Sequence, residues 1–120
     1  MRLKVEIADD SSSREMGLMY RKSLAEDSGM LFSFKYPTKM SFWGRNTYIP
    51  LDIAFVNEHN EIVEIKEVVP MSTKPVSCNH PCRHAVEANF NFFNNNKISV
   101  GDKINIDGDI ITFKSNIKEN

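Results

Sequence analysis

Turn-forming residues punctuate this chain at intervals of about ten positions, a spacing that leaves room for short strands and little else. Residues 2–8 alternate, with Leu3, Val5 and Ile7 on one face. Residues 29–34, 40–46, 51–56 and 62–69 read as further strands, the last two joined through a turn at Asn57-Glu58-His59-Asn60. Residues 84–88 form a short strand candidate. Asp107-Gly108, between residues 103–107 and 110–114, is a strong two-residue hairpin signal. Tyr36-Pro37-Thr38-Lys39 is expected to break the second strand, and residues 70–81, with three prolines, to form a loop. Ser12 and Glu15 have capping-box spacing, which predicts a helix over residues 13–20 weakened by Gly17. Residues 89–96 should make a turn or a single helical turn packed by Phe90, Phe92 and Phe93. The expected fold is therefore mainly β: a small β-sandwich or jelly-roll-like barrel with one short N-terminal helix. Residues 1–114 would form a single domain and 115–120 a polar tail.

A chain of 120 residues buries enough surface to fold without a metal or a disulfide, so no cofactor is expected. Its 41% apolar and 26% charged content is that of a soluble globular domain. With a net charge of −1 and scattered Lys and Arg, it has no basic stripe to follow a phosphate backbone, so nucleic acid is not an expected partner. No apolar run approaches the length of a membrane span. The alternating N-terminus lacks the continuous apolar core of a signal peptide, which suits either a cytoplasmic protein or the mature form of an exported one.

The segment from Met40 to Phe55 places the only Trp, an Arg, an Asn-Thr pair and a lone Asp among apolar residues. Polar groups are kept out of such runs unless something satisfies them. The pattern is also diagnostic. Arg14-x-x-Gly17-Leu18-Met19-x-Arg21-x-x-Leu24, then Gly29-Met30-Leu31-Phe32-x-Phe34, then Phe42-Trp43-x-x-Asn46-Thr47-x-Ile49-Pro50-Leu51-Asp52-Ile53-x-Phe55 resemble the DUF192 family, also catalogued as UPF0127. Glu87-x-Asn89 and Gly101-Asp102 fall where that family places the same residues. The resemblance implies a compact β-rich domain of sandwich or jelly-roll type and no established biochemical role. Gly44-Arg45, Asn89-Phe90-Asn91-Phe92 and His84 depart from the family pattern. Asn91 is able to adopt the positive φ that the family's glycine would supply there.

Three candidate sites follow. On an extended 41–47 segment, Ser41, Trp43, Arg45 and Thr47 would share a face, and with Asn46 they would offer an aromatic plate beside hydrogen-bonding groups. Gly44 would admit a close-approaching backbone or ligand. The bland alternative makes Trp43 a packing residue, Arg45 a cover over it, and Asn46-Thr47 a turn bonded to its own backbone. Asp52 could join Arg14, Arg21 or Arg45 in a polar pocket, or in a structural ion pair that pins helix to sheet. Cys78, His80, Cys82 and His84 carry metal-ligating atoms. At alternate positions of a straight strand they would span roughly 20 Å, too far for one ion. A disulfide between Cys78 and Cys82 suits their spacing better.

No Walker loop, dinucleotide-binding glycines, zincin helix or nucleophile elbow is present. The expected role is thus a non-enzymatic module that binds a small polar ligand such as a sugar, or an accessory module. A hydrolase-like enzyme using Asp52 or the Cys/His loop is the alternative. A structural component of a viral or envelope-associated assembly is a third reading.

Overall fold

A computed structural model of the protein describes residues 1–116. Nine strands and two short helices follow in the order β1 (Arg2–Ala8), α1 (Ser11–Met16), β2 (Ser28–Thr38), β3 (Ser41–Phe42), β4 (Leu51–Val56), β5 (Ile62–Val68), β6 (Val76–Ser77), β7 (Cys82–Asn89), α2 (Phe92–Asn95), β8 (Lys103–Asp107) and β9 (Ile110–Lys114). The mainly β expectation holds. Seven strands form one sheet in the order β5-β4-β7-β2-β1-β9-β8, and β3 pairs with β6 as a two-stranded annex. All pairings in the large sheet are antiparallel except β1 with β2. That parallel pair is possible because nineteen residues, 9–27, including α1, carry the chain back to the starting edge.

The sheet curls into a half-barrel. Its outer strands meet at a bridge between Glu61 and Lys103, and Ile62 N–H donates to Asp102 O at 2.9 Å beside it. One face carries Leu3, Val5, Leu31, Val56, Val86 and Ile111, capped by Phe92 and Phe93 of α2. The other carries Met30, Phe32, Leu51, Ile53, Phe55 and Ala85, covered by Leu18, Met40, Ile49 and the two cysteines. Burial on both sides explains why Ile53 through Val56 are all enclosed, with no inside–outside alternation. Among the described residues no helix is long and apolar enough to cross a membrane.

Four local expectations change. The first helix starts at Ser11 and ends at Met16, because Asp10 rather than Ser12 caps it: its Oδ1 accepts from Ser13 N–H at 2.7 Å. β2 runs through Pro37 to Thr38, since a register shift between Ser33 and Thr38 leaves the proline outside the ladder. The 40–46 strand shrinks to Ser41–Phe42, and the chain turns at Gly44 instead. The single helical turn expected within 89–96 forms at 92–95 as α2 with Phe92 and Phe93 buried, and only Phe90, left exposed, departs from the expectation. The expected polar tail at 115–120 lies largely outside the described residues.

Candidate functional site

The covering layer does not seal the second face of the sheet. A cleft of about 370 Å³ opens between them, lined by α1 and the turn after it, by Phe32 and Phe34 of β2, by residues 40–43, and by Thr47 and Glu87. A second lobe of about 360 Å³ lies outside it and shares Glu15, Met16, Met19 and Trp43 with it. Trp43 stands where the two lobes meet, 42% exposed.

Glu87 is the unusual member of this lining. In register it lies between Met30 of β2 and Ile53 of β4, on the face that carries Phe32 and Ala85. The side chain is buried, and burial alone pushes its carboxyl up to about 8, with no donor or cation to oppose the shift. No side-chain polar atom among the described residues is both enclosed and unpaired, so this unpaired carboxyl is not sealed off, and Glu87 lines the cleft. Asp102, the other buried acid, shows the contrast: its oxygens accept from Ser99 N–H at 2.9 Å and Asn116 N–H at 3.0 Å. Asp102 fastens a turn; Glu87 fastens nothing.

The other polar groups of the inner lobe are largely committed. Arg14 donates to Ser33 O at 3.0 Å and lies 4.4 Å from the centre of the Phe34 ring. Thr47 Oγ1 donates to Arg45 O at 3.2 Å, as a self-bonding turn requires, and Ser41 Oγ accepts from Ser77 Oγ at 3.0 Å. Arg45 lies over Trp43 at 5.4 Å, in the outer lobe with Asn46. Asn46, at φ 55°, accepts Tyr20 N–H at 2.8 Å and donates to the Tyr20 hydroxyl at 3.0 Å, which ties the two sides of the cleft together. Gly44 meets the backbone of Val69 and Ser72 rather than a ligand.

Trp43, Arg45, Asn46, Thr47 and Arg14 therefore gather around one cleft; Asp52 and Arg21 do not. Arg21 makes a two-pronged ion pair with Glu6, Nη2 to Oε1 at 2.7 Å, which raises the guanidinium and lowers the carboxyl. The expected ion pair between Asp52 and an arginine is not made. Asp52 Oδ2 accepts from Asn91 N–H at 2.8 Å and anchors the turn before α2, while burial raises its pKa. The Cys/His tract also fails to converge. His84 Nδ1 lies 2.9 Å from Ser33 Oγ, and His80 is exposed. Among the described residues no three His, Cys, Asp or Glu side chains could hold a metal ion.

Cys78 and Cys82 are free thiols, fully buried, with Sγ atoms 2.9 Å apart. Burial pushes Cys78 up to about 12 and raises Cys82 as well. Because the thiolate is the nucleophile, Cys78 in the folded reduced protein should react with a disulfide reagent at pH 8 about a thousandfold more slowly than an exposed thiol, and Cys82 should be slowed as well. Both cysteines should then titrate quickly in urea. Fast native titration would show that the 78–82 loop opens readily.

The family model for DUF192, described as an uncharacterised ACR, matches residues 1–106. The chain belongs to the DUF192 family. Two solved structures resemble this DUF192 protein closely. One is described as a "putative transcription regulator" from Sinorhizobium meliloti 1021, at 38% identity and a TM-score of 0.82, over 84% of this chain and 79% of that one. The other is a protein of unknown function from Novosphingobium aromaticivorans DSM 12444, at 33% identity and a TM-score of 0.84, over 87% of this chain and 75% of that one. A comparison with curated proteins finds no match.

Proposed function

We propose that this DUF192 protein is a non-enzymatic binding module for a small ligand, held in the two-lobed cleft between the half-barrel and its covering layer. The observation that carries this is Glu87, a buried carboxyl with no protein partner on the wall of an open, mostly apolar cavity. A ligand seated in the cleft would supply this carboxyl with the hydrogen-bond partner that the protein does not. The volume suits a ligand of a few to about fifteen heavy atoms, and apolar walls with a few placed polar groups are what small-molecule sites share. A sugar fits less well than an amphiphilic molecule. It needs many directed hydrogen bonds, and the inner lobe is lined mainly by aromatic rings, thioethers and aliphatic side chains.

Trp43 is the only tryptophan, so its fluorescence reports the cleft mouth directly. A panel of small amines, acids, sugars and nucleosides should contain compounds that both shift its emission and raise the melting temperature. Trp43→Ala should weaken such a compound by about tenfold, the scale of one lost aromatic contact. Its melting temperature should change little, because the ring is half exposed. A compound that stabilises the protein equally in wild type and in Trp43→Ala, with no change in emission, would place binding elsewhere.

A further inference from the structure

Given that the cleft is the binding site, we infer that it selects an organic cation: an ammonium or alkylated ammonium head on a small apolar body. The head would enter the lobe lined by Glu87 and by the rings of Phe32, Phe34, Phe42 and Trp43. Two independent features point this way.

The first is the inventory of uncommitted groups. Arg14, Ser41 and Thr47 are each held by one bond to the protein, whereas Glu15 at the mouth and Glu87 on the wall make no such bond among the described residues. Both are acids. Arg14 supplies one positive charge at the rim, directed to Ser33 O and the Phe34 ring, and it makes no ion pair with Glu87 among the described residues. Without a ligand, burial keeps Glu87 protonated and neutral, and an anionic ligand would hold it so and gain no ion pair. A cationic head would favour release of the Glu87 proton to solvent and pair with the carboxylate left behind.

The second is the character of the walls. Four aromatic rings and the thioethers of Met16, Met19 and Met40 line the cavity. Phe32 and Phe42 meet edge to face, 4.8 Å between centroids, which sets the two rings in different planes around the space. Ring faces attract a cation through their quadrupole, and the attraction grows when water is excluded; aromatic-lined pockets are the usual solution for quaternary ammonium heads. Thioethers are soft and polarisable and follow the contour of methyl groups. An aromatic enclosure alone would take any apolar body, and a buried acid alone would take any donor. Together they call for a positive head with a greasy surface.

The test uses the full chain, Trp43 fluorescence and calorimetry, with choline, tetramethylammonium and methylammonium as probes. 3,3-Dimethylbutan-1-ol serves as the uncharged isostere of choline. At least one of the cations should quench or shift Trp43 and bind about tenfold or more tightly than the isostere. Glu87→Gln should erase that preference while leaving the response to the isostere intact. Glu15→Gln should weaken cation binding less than Glu87→Gln does. If the isostere binds as well as the cations, or if other compounds shift Trp43 and none of the cations does, charge selection is overturned and the cleft survives as a site. If no compound of any class perturbs Trp43 or the melting temperature, the binding module and the cation preference fall together.

Discussion

As pH rises from about 4.5 to about 8, the wild-type protein will lose stability relative to Glu87→Gln by roughly 4–5 kcal/mol. In the folded chain the Glu87 carboxyl holds its proton up to about 8; in the unfolded chain it releases it near the usual 4.5. Between those values unfolding releases one proton, so each pH unit favours the unfolded state by about 1.4 kcal/mol. Above pH 8 both states are ionised and the difference stops growing. Below pH 4.5 both are protonated, and the two proteins should be nearly equal in stability, since Gln resembles a protonated Glu.

Other groups slope the curve too. Asp52, raised by burial, loses stability in the same direction as Glu87. Glu6 and Glu64, held low by Arg21 and by hydrogen bonds from Cys78 and Asn79 respectively, gain stability as pH rises through the carboxylate range. His84, kept neutral by burial, also gains toward pH 6.5. These contributions are common to both proteins and cancel in the difference, which isolates Glu87. Urea melts at half-unit pH steps would measure it. Parallel curves would mean that water or a protein donor reaches the carboxyl, and the motive for a cationic ligand would vanish. A saturating cation should itself flatten the wild-type curve, because it would stabilise the ionised form of Glu87.

Glu87 also marks the limit of what sequence could disclose. It first enters as one letter of the pattern Glu87-x-Asn89, although it sits between Val86 and Ala88 much as Asp52 sits between Leu51 and Ile53. The two acids are indistinguishable locally. What separates them is tertiary: Asp52 finds the N–H of Asn91, thirty-nine residues away, and Glu87 finds a cleft. Features governed by local chemistry were legible. β1 came from alternation, the β8–β9 hairpin from its turn glycine, although its two-residue loop is Gly108-Asp109 and not Asp107-Gly108, and the positive φ of Asn91, 68°, from its side-chain type. The end of β3 was not legible. Residues 43–47 have the composition of a strand, but the backbone of the 69–72 loop claims Gly44 first. The arginines scattered to different partners because each is long enough to reach several acceptors, and spacing along the chain does not rank them.

Gly44→Ala should destabilise the protein by about 3 kcal/mol or more, the upper range for forced overpacking, and lower its melting temperature by roughly 10 °C. A Cβ at this position would lie 1.8 Å from Val69 O and 2.9 Å from Val69 C. Both are backbone atoms, so no side-chain rotation relieves the clash. Nor can the strands part cheaply. Gly44 N–H donates to Ser72 O at 2.9 Å, and Gly44 O accepts from Met71 N–H at 2.8 Å and Thr47 N–H at 3.0 Å. The fit is steric, since the φ of Gly44 lies outside the left-handed region, whereas Gly108 at φ 59° has nothing within 4 Å of its added Cβ. Gly108→Ala should therefore cost only about 1 kcal/mol, for backbone strain alone. The pair separates contact from conformation. Because Trp43 precedes Gly44, displacement of this loop would also carry the indole away from the cleft mouth. The alanine variant should thus show altered Trp43 emission and weaker binding of any cleft ligand even at temperatures where it remains folded. Equal stability of the two alanine variants would mean that the 69–72 loop yields without cost, and a loop that yields so easily could not hold Trp43 in place over the cleft.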